Sequence, residues 1–501
     1  YVSNGSGWYN TALINATPAL SLSASGTIAL TPGSATTITM TATDSDNSDA
    51  NLVLSLESGG DLFKFATVSQ DSSVVTITPR TEDSATALGS DGSATLTFKA
   101  SDGINQATVQ NTFTLSFSAN WATNTPTKTK IITGDAASRL YGLGTLVTNI
   151  DGTYVGARNH NNGVNDYDIW YKSGGSWSKQ ATVVPTGGSG ALANNYQQAG
   201  MSDNGDYLIL GDHGAPSAFV YYRTGTSWAL QQTITCPIAN EADFGWSCDI
   251  SGDGNYIIIS DRQSTGADYG GQCWIWKRSG TSWSVEQQLT QPASSSNYGY
   301  SVCIDKTGTY AFVGDWSFNS DAGRGHIWTR SGTTWTLQQT IAGSTTASGD
   351  RFGSVSAISG NGEHLAVNAS YDDDGASSSG TVFMFSRSGT TWTQRAAITP
   401  NATASGIAGE NGMGIDDAGE NLFFAQKNAS SVYVLYIYSR SGNTWSQTRQ
   451  LDGIDGTDQY ANGMTGGRAM SGDGKWIFSG AYNNNDGSTL RAGAVYAFEA
   501  G

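Results

Sequence analysis

The sequence predicts an all-β protein with a β-sandwich near its N-terminus and a seven-bladed β-propeller after it. Three observations predict this fold. First, the 501 residues include 63 Gly, 15 Trp and 22 Tyr but only 13% charged residues, a composition that favours strands and tight turns. Second, a thirteen-residue phrase that contains a tryptophan occurs six times between residues 171 and 451. Third, residues 17–118 lack this phrase and contain short alternating stretches.

The N-terminal third is predicted to form the sandwich. The stretches "TTITMTATDSDN", "LVLSLES", "SSVVTITPR" and "SATLTFKASDG" read as short alternating strands at sandwich spacing. The segments "ATDSDN" and "ASDG" resemble those of cadherin-like or Ig-like extracellular modules. That resemblance implies that Asp44, Asp46 and Asp102 match the acidic positions that hold calcium between tandem cadherin modules. Apart from this calcium we expect no cofactor.

The repeated phrase sets the period of the C-terminal part. Its tryptophans follow one another at intervals of 51 to 57 residues: Trp177, Trp228, Trp283, Trp335, Trp392 and Trp445. Tight turns between apolar strands recur at nearly the same period, at Gly152, Gly205, Gly254, Gly308, Gly362, Gly419 and Gly474. A fixed period of roughly 50 residues with four strand-like runs is the signature of propeller blades.

One blade can be written out in full. Its four predicted strands are "YGYSVCID" (298–305), "TYAFVGD" (309–315), "HIWTR" (326–330) and "WTLQQTI" (335–341). Strict alternation in the last strand predicts that Trp335, Leu337, Gln339 and Ile341 share one face. We expect the six tryptophans to pack between neighbouring blades, because copies at one structural position serve a common core. Stacking on a ligand is the alternative.

The ends of the repeat predict how the ring closes. The last blade stops at "RAGAVYAFEAG", which reads as a third strand without a fourth. Just before the first blade, "TPTKTKIITG" (125–134) ends as the fourth strands do. We therefore expect residues 125–134 to join the last blade and remove an exposed sheet edge. No tryptophan stands at the expected place in this segment.

Three short motifs resemble FG-GAP repeats, the blades of integrin-α-type propellers. "FGWS" (244–247), "YGYSV" (298–302) and "FGSV" (352–355) open first strands, and "AGAVYAF" (492–498) resembles a third strand of that family. The resemblance covers about residues 125–501. Calcium-binding members carry a DxDxDGxxD loop, whereas the loops here, such as "SGDGNY", have too few carboxylates for a calcium cage. The segment "YDDDG", with Asp372, Asp373 and Asp374, is interpreted as a solvated acidic loop, with loose cation binding as the alternative.

The first stretch, residues 1–16, resembles the end of an attachment module in phage virion proteins. It reads "YVSNGSGWYNTALINA", and in such proteins a short β element of this kind precedes Ig-like domains. Together with the sandwich (17–118) and the propeller (119–501), it resembles structural proteins of marine tailed phages. The resemblance implies a location on the virion surface and contacts with other virion proteins through the N-terminal side. It also implies a homo-oligomer or multi-copy array.

Composition excludes several classes of function. The net charge of −17 offers no basic footprint for nucleic acid. No apolar run is long enough to insert into a membrane. The four cysteines Cys236, Cys248, Cys273 and Cys303 lack a zinc-type spacing, so buried thiols are expected, with a Cys248–Cys273 disulfide as the alternative. We expect no enzyme, because the four histidines lie in no catalytic motif.

One face of the propeller is predicted to bind a ligand. The connections between strands two and three, and between strand four and the next blade, are long and differ between blades. Both sets emerge at the same end of a propeller, and variable loops carry recognition. Their mixture of aromatic residues with Asn and Asp suits sugars, although turns favour the same residues. The predicted ligand-binding residues are His160, Asp166, Tyr167, Tyr269, Trp316, Phe318, Asp321, Tyr371, Asp373, Asn484 and Asp486.

These observations favour a virion appendage, a fibre or surface decoration, whose propeller presents a recognition face to a host-surface glycan or protein. A bacterial or algal surface adhesin, or a scaffold without a ligand, is the alternative. A polysaccharide-degrading propeller is the third hypothesis. It stays open at this stage, because a glycosidase carboxylate pair is defined by separation in space.

Overall fold

The structure, a computed structural model, divides into two compact units, Tyr1–Ser118 and Ala119–Gly501. No helix among the described residues is long and apolar enough to cross a membrane. The structure describes residues 2–3, 6, 8–9, 15–30, 35–46, 51–58, 66–79, 92–115, 121, 125–133, 144–161, 164–185, 199–238, 243–262, 270–292, 297–375, 377–399, 412–427, 433–451, 468–481 and 493–500.

The first unit contains two four-stranded sheets that share one hydrophobic core. Its strands are β1 (Val2–Ser3), β2 (Trp8–Tyr9), β3 (Ala19–Leu22), β4 (Gly26–Leu30), β5 (Thr36–Thr43), β6 (Val53–Ser58), β7 (Ala66–Asp71), β8 (Val74–Pro79), β9 (Gly92–Ser101) and β10 (Gln106–Leu115). The sheets have the orders β4-β10-β9-β6 and β3-β5-β8-β7, and β4 runs parallel to β10. Side chains alternate between the two faces of β5, so that Ile38 and Met40 point to the core, where they pack with Val75 and Phe98.

The second unit contains seven four-stranded antiparallel sheets among its described residues, named blades 1 to 7 here. Blade 1 contains β12 (Leu146–Thr148), β13 (Tyr154–Asn161), β14 (Val164–Ser173) and β15 (Ser176–Val183). Blade 2 contains β16 (Ala199–Met201), β17 (Tyr207–Asp212), β18 (Ser217–Thr224) and β19 (Ser227–Thr235). Blade 3 contains β20 (Phe244–Ile250), β21 (Tyr256–Asp261), β22 (Gln272–Ser279) and β23 (Ser282–Leu289).

Blades 4 to 6 follow the same order of strands. Blade 4 contains β24 (Tyr298–Ile304), β25 (Tyr310–Asp315), β26 (Arg324–Ser331) and β27 (Thr334–Ile341). Blade 5 contains β28 (Phe352–Ile358), β29 (His364–Ala369), β30 (Thr381–Ser388) and β31 (Thr391–Ile398). Blade 6 contains β32 (Met413–Ile415), β33 (Asn421–Lys427), β34 (Tyr433–Ser441) and β35 (Thr444–Leu451). A short turn with left-handed residues, named α1 (Phe318–Asp321), lies between β25 and β26. The four strands predicted for blade 4 are confirmed, with ends shifted by two residues or fewer.

Blade 7 takes its outer strand from the beginning of the unit. Its strands are β36 (Arg468–Met470), β37 (Trp476–Ala481), β38 (Ala494–Glu499) and β11 (Thr127–Thr133). The segment predicted to close the ring therefore lies beside the third strand of the last blade, with Thr127 opposite Glu499 and Thr133 opposite Ala494. This antiparallel pairing covers the sheet edge that blade 7 would otherwise expose.

A closed circuit of backbone hydrogen bonds joins the turns between first and second strands. Each bond connects one blade to the next, and the circuit passes from blade 7 to blade 1. Its N···O distances are 2.8 to 3.2 Å, in the pairs Asp473–Ile150, Ile150–Asp203, Asp203–Gly252, Gly252–Lys306, Lys306–Gly360, Asn361–Asp417 and Asp417–Gly472. The sheets are thus arranged around one axis and joined at every junction.

Charged side chains lie at this end of the axial cavity. The first strands surround a cavity of about 190 Å³. The ammonium group of Lys306 lies 2.6 Å from Oδ1 of Asp203. Burial lowers the pKa of Lys306, but the charges of Asp417 and Asp203 together outweigh burial, so the pKa is raised. A Cβ atom at Gly472 would overlap the carboxylate of Asp417. Glycine at this position therefore gives that carboxylate its space.

The fourth strand of each blade contains a β-bulge, so its side chains before the bulge face the preceding blade and its side chains after the bulge face the following blade. In β27, Leu337 pairs with Trp328 and Gln339 pairs with Ile327, so Gln338 is the extra residue. The alternation reverses at this point. The prediction that Trp335, Leu337, Gln339 and Ile341 share one face is therefore wrong. Trp335 packs in the core with blade 3, Ile341 packs in the core with blade 5, and Leu337 is 38% exposed.

The bulge lets blades 2, 3 and 4 hold the tryptophan of the next blade through a glutamine side chain. Gln287 of blade 3 donates from Nε2 to Trp335 O (2.6 Å) and accepts at Oε1 from Trp335 N (2.8 Å). The indole Nε1 of Trp335 donates to Glu286 (3.1 Å). The backbone contacts recur between Gln232 and Trp283 and between Gln339 and Trp392.

The arginine of the phrase fastens the turns of its own blade. Arg330 donates from Nε to Gly308 O (2.6 Å) and from Nη1 to Gly332 O (2.9 Å). Its guanidinium also lies 4.2 Å from the ring centre of Tyr256 in blade 3. The same set of contacts is made by Arg223, Arg278 and Arg387. The phrase is thus a joint between blades.

Trp121 supplies the tryptophan that the sequence pattern of blade 7 lacks. It is 1% exposed and packs with residues of blades 6 and 7. Its carbonyl accepts from Nε of Arg449 (2.6 Å), which stands four residues after Trp445 as Gln287 stands after Trp283. Its Nε1 donates to Gly474 O (2.9 Å), the turn carbonyl that an arginine contacts in other blades. Residues 125–134 contain no tryptophan, and the ring at this position comes from Trp121, which lies before that segment.

The four cysteines form no disulfide. Cys248, Cys273 and Cys303 are buried, and Cys236 is half-buried. Burial raises the pKa of the thiols of Cys248, Cys273 and Cys303 above its usual value. The expectation of buried thiols therefore holds for these three, and the Cys248–Cys273 disulfide is absent.

Candidate ligand-binding site

The candidate site lies at the end of the propeller that is opposite the short turns. Connections between second and third strands, and between one blade and the next, emerge there. The described chain is most nearly complete at this end in blades 4 and 5, from residue 297 to 375. In blade 4 the first connection runs from Asp315 to Arg324, and the connection to blade 5 runs from Ile341 to Phe352.

The FG-type motifs turn a side chain toward this end. Gly245, Gly299 and Gly353 have φ of 89°, 90° and 96°, a left-handed conformation that glycine adopts readily. A Cβ atom at Gly353 would lie 2.7 Å from the carbonyl oxygen of Arg324, so the strand can pass this close to the preceding loop only with glycine. The residue after the glycine is Trp246 in blade 3 and Tyr300 in blade 4, and both are half-buried.

Four rings from blades 2 to 4 form a continuous group, called the aromatic row here. His213 lies 5.0 Å from Trp246, Trp246 lies 5.5 Å from Tyr300, and Tyr300 lies 5.8 Å from Trp316, all between ring centres. The interplanar angles are 62°, 46° and 84°, so the rings are not coplanar. Trp246 Nε1 donates to Tyr300 O (3.1 Å), which fixes the indole. Burial lowers the pKa of His213, which favours its neutral form.

Arg351 extends the row into blade 5. Its guanidinium lies 4.5 Å from the ring centre of Trp316 and 4.3 Å from that of Tyr371. Its Nε lies 3.9 Å from Oδ2 of Asp321, a contact too long for a hydrogen bond. Trp316 is half-buried, and Tyr371 is 38% exposed. Arg351 thus lies between two aromatic rings beside a carboxylate.

The loops that carry these residues are strained and joined to one another. Asn319, Ser320, Asp321 and Arg351 all have left-handed φ values, of 53° to 64°. Arg351 N donates to Asp321 O (2.8 Å), and Ser348 Oγ donates to Ser320 O (2.9 Å). Such conformations persist only where surrounding contacts hold them, and they cluster at binding sites. The position of Arg351 against blade 4 is therefore fixed by the backbone.

Two further arginines stack on rings, and each of them donates a hydrogen bond to a carboxylate. Arg262 lies 3.5 Å from the ring centre of Trp246, and its Nε donates to Asp243 Oδ2 (2.9 Å). Arg324 lies 3.5 Å from the ring centre of Phe318, and its Nε donates to the buried carboxylate of Asp315 (2.9 Å). These two pairs are structural supports under the row.

Acidic side chains surround the blade 5 end of the site. Burial raises the pKa of Asp350, and the charges of Asp373 and Asp374 raise it further. Burial likewise raises the pKa of Asp372. Asp373 and Asp374 are exposed to solvent. Apart from Arg351, the local charge at this end is therefore negative.

Five of the predicted ligand-binding residues lie in the described loops at this end. The structure brings together Trp316, Asp321 and Tyr371 around Arg351, whereas Phe318 packs against Arg324 and Asp373 is in the exposed loop beyond Tyr371. Sequence reasoning did not select His213, Trp246, Arg262, Tyr300 and Arg351 for the site. Trp246 and Tyr300 could have been found from their place directly after the glycine of the FG-type motif.

The blade 1 residues lie elsewhere. Tyr167 is fully buried in β14, and its hydroxyl donates to Thr145 O (3.1 Å). Its place on the ligand-binding face is a wrong prediction, because β14 begins earlier than the loop assignment assumed. Asp166 is half-buried in the same strand, and only the backbone of His160 is described, in β13. Tyr269, Asn484 and Asp486 lie outside the described residues.

The predicted calcium residues of the first unit hold loops together. Asp102 Oδ1 accepts from the backbone N–H groups of Ile104 and Asn105 (both 2.7 Å). Asp46 Oδ2 accepts from Ala16 N (2.7 Å), and Asp44 Oδ1 accepts from Asp46 N (3.1 Å). Within the described ranges, no three His, Cys, Asp or Glu side chains are grouped to hold a metal ion.

Comparison with known proteins supports the propeller fold. The FG-GAP repeat family matches residues 335–385. The β-propeller domain of Myceliophteria thermophila Cps50 (Swd1) has a TM-score of 0.50 and 10% identity, and the match covers 74% of this chain and 99% of that domain. No curated protein matches the chain in sequence. The chain is therefore similar to β-propellers with an FG-GAP repeat.

Other similar structures belong to proteins with different activities. Kuenenia stuttgartiensis hydrazine synthase has a TM-score of 0.46 and 10% identity, with 70% of this chain and 94% of that chain covered. An oligogalacturonate lyase in complex with manganese also has a TM-score of 0.46 and 10% identity, with 75% and 96% covered. At such similarity neither activity is transferable, because one fold carries many functions.

Proposed function

We propose that this protein is a virion appendage whose seven-bladed propeller presents a recognition face to a glycan or protein on the host surface. In this proposal the first unit is an Ig/cadherin-like spacer, and the N-terminal side contacts other virion proteins. The appendage acts by binding rather than by catalysis. It is present in many copies, so weak single sites suffice through avidity.

The observation that carries the proposal is the aromatic row with Arg351 and Tyr371 at the open end of blades 2 to 5. Rings that serve only as core are placed between blades, as Trp335 is. Trp246, Tyr300 and Trp316 instead remain half-buried at the loop end. Three left-handed residues, Asn319, Ser320 and Asp321, follow closely after Trp316. Half-buried aromatic rings with neighbouring polar groups are typical of recognition surfaces.

The proposal is tested by binding to cells from the source culture. The whole chain, fluorescently labelled, is expected to bind these cells and to reduce adsorption of intact particles. A variant with Trp316→Ala and Tyr371→Ala is expected to lose both effects while keeping its thermal midpoint. Absence of binding by the wild-type chain, under conditions where particles adsorb, would overturn the proposal.

The adhesin alternative has a separate test. An antibody to the propeller is used for immunogold labelling of particles and cells from the same culture. Label on virion fibres or the capsid surface supports the appendage. Label confined to cell envelopes favours a bacterial or algal surface adhesin. The enzyme hypothesis predicts release of reducing sugars from host polysaccharide, which a binding protein does not produce.

A further inference from the structure

We propose that the ligand of this face, if the proposed function holds, is an uncharged pyranose of a surface glycan. In this arrangement Arg351 donates to, and Asp321 accepts from, neighbouring hydroxyl groups, and the ring of the sugar lies against Tyr371. The inference rests on the proposed recognition function and names the chemical class of its ligand.

The first argument is the hydrogen-bonding capacity of Arg351. Arginines of the repeated phrase use their donors on backbone carbonyls, as Arg330 does with Gly308, Gly332 and Thr307. The guanidinium of Arg351 makes no hydrogen bond to any described residue, and its side chain is 36% exposed. It is nevertheless held between Trp316 and Tyr371. A fixed guanidinium with unused donors is preorganised for acceptors on a ligand.

The second argument is the acceptor beside it. The carboxylate of Asp321 is 40% exposed and likewise accepts no hydrogen bond from the described part of the chain. The separation of 3.9 Å from Nε of Arg351 leaves both groups able to bond elsewhere. A hydroxyl group is both donor and acceptor. Two neighbouring hydroxyls therefore match one carboxylate and one guanidinium that face the same solvent-accessible space.

The third argument is the shape of the aromatic surface. Tyr371 is 38% exposed and offers apolar area next to the two charged groups. The rings of the aromatic row are inclined by 46° to 84°, so they form no flat platform for the surface of a crystalline polysaccharide. Such a surface fits single sugar units or a twisted chain that presents one edge at a time.

The fourth argument is charge. The carboxylate of Asp321 lies beside Arg351, and the charges of Asp373 and Asp374 act on the neighbouring Asp350. The whole chain carries a net charge of −17. An anionic sugar would meet this negative field over the range at which charges act. A cationic ligand would need aromatic faces, but Arg351 already covers those of Trp316 and Tyr371 on one side. A neutral ligand avoids both conflicts.

The test measures binding of the whole chain to defined oligosaccharides. The probes are neutral gluco-, galacto- and manno-configured oligomers, with uronate and sulfated oligomers as matched anionic probes. At least one neutral series is expected to bind, with Kd unchanged between about 0.05 and 0.5 M salt. Arg351→Gln and Asp321→Asn are each expected to weaken binding roughly ten- to a hundredfold, because each removes a hydrogen bond to a charged group.

Two controls separate this inference from the proposed function. Arg395→Gln makes the same change at an exposed position of β31 and is expected to bind as the wild type. Source cells treated with periodate, which cleaves vicinal diols, are expected to lose binding, whereas protease-treated cells keep it. The inference fails, and the recognition function stands, if the chain binds cells but binds only the anionic oligomers. The same conclusion follows if protease treatment of the cells abolishes binding and periodate treatment does not. If untreated cells bind nothing, the recognition function itself fails.

Discussion

The side-chain amide of Gln287 in blade 3 holds the backbone of Trp335 in blade 4 through two hydrogen bonds. Nε2 donates to Trp335 O at 2.6 Å, and Oε1 accepts from Trp335 N at 2.8 Å. Neither bond belongs to the hydrogen-bond ladder of a sheet. The same two hydrogen bonds recur between Gln232 and Trp283 and between Gln339 and Trp392, so three successive junctions between blades share this joint.

Replacing Gln287 with Ala is expected to lower the free energy of unfolding by about 2 kcal/mol. Two hydrogen bonds are lost, and the backbone groups of Trp335 are left without these partners. Urea denaturation measures the change. Gln288→Ala is the matched control, since its side chain bonds at the surface to Gln272, and a change within about 0.5 kcal/mol is expected. Equal losses in both variants would contradict the joint.

Replacing Trp121 with Ala is expected to lower the free energy of unfolding by about 3–5 kcal/mol. The side chain is 1% exposed between blades 6 and 7, and its removal leaves a large cavity. Thr129→Ala, at an exposed position of the closing strand β11, is the control. A wild-type denaturation curve for Trp121→Ala would show that Trp121 does not close the ring.

His364 makes the stability of the fold sensitive to acid. Burial, together with Arg440 and Arg395, lowers its pKa to about 4 from 6.5. The unfolded chain therefore binds a proton near pH 6.5 that the folded chain binds only near pH 4. Stability is lost as pH falls through this window, by about 2 kcal/mol at pH 5 for this group.

His364→Tyr restores the residue that blades 1 to 4 have at this position, for example Tyr310. The variant is expected to lose less stability than the wild type between about pH 8 and pH 5. Half-buried Asp249 and buried Asp416, each with a pKa raised to about 6, oppose this trend in both proteins and cancel in the comparison. Tyr310→His is the converse control and is expected to add acid sensitivity. Parallel pH profiles for all three proteins would contradict the assignment.

Thiol labelling is expected to separate the four cysteines into two classes. Cys248, Cys273 and Cys303 are 5% exposed or less, and burial keeps them as unreactive thiols. A maleimide reagent is expected to modify Cys236 in the native protein and the other three only after unfolding. Cys236→Ser is expected to remove the fast phase. A mass lower by two hydrogens in the intact protein would instead indicate a disulfide.

The sequence predicted the repeating part of this fold because its determinants are local. Alternation fixes each strand, and a glycine such as Gly332 fixes each hairpin. The bulge at Gln338 was not predictable in this way, because it depends on what the two neighbouring blades require from one strand. Trp121 was missed for the same reason. Trp121 lies before the first repeat in the sequence, although its ring packs against blade 7, so no local sequence pattern predicts its position.

The candidate site was predictable only in part. Trp316, Asp321 and Tyr371 are aromatic and acidic residues in variable loops, and that composition was enough to select them. Arg351 was missed, because an isolated arginine before "FGSV" has no local signal. Its importance comes from two aromatic faces contributed by different blades. Tyr167 was assigned wrongly, since a strand that extends toward the loop end hides residues that look like loop residues.

Binding of the whole chain to cells from the source culture is the most direct test of the proposed recognition face, with Trp316→Ala compared against Leu337→Ala. Both substitutions remove a partly exposed apolar side chain, one in the aromatic row and one on the outer strand of the same blade. We expect Trp316→Ala to bind at least about tenfold more weakly than the wild type, and Leu337→Ala to bind as the wild type does. Equal binding by all three proteins, with unchanged thermal midpoints, would contradict the recognition face.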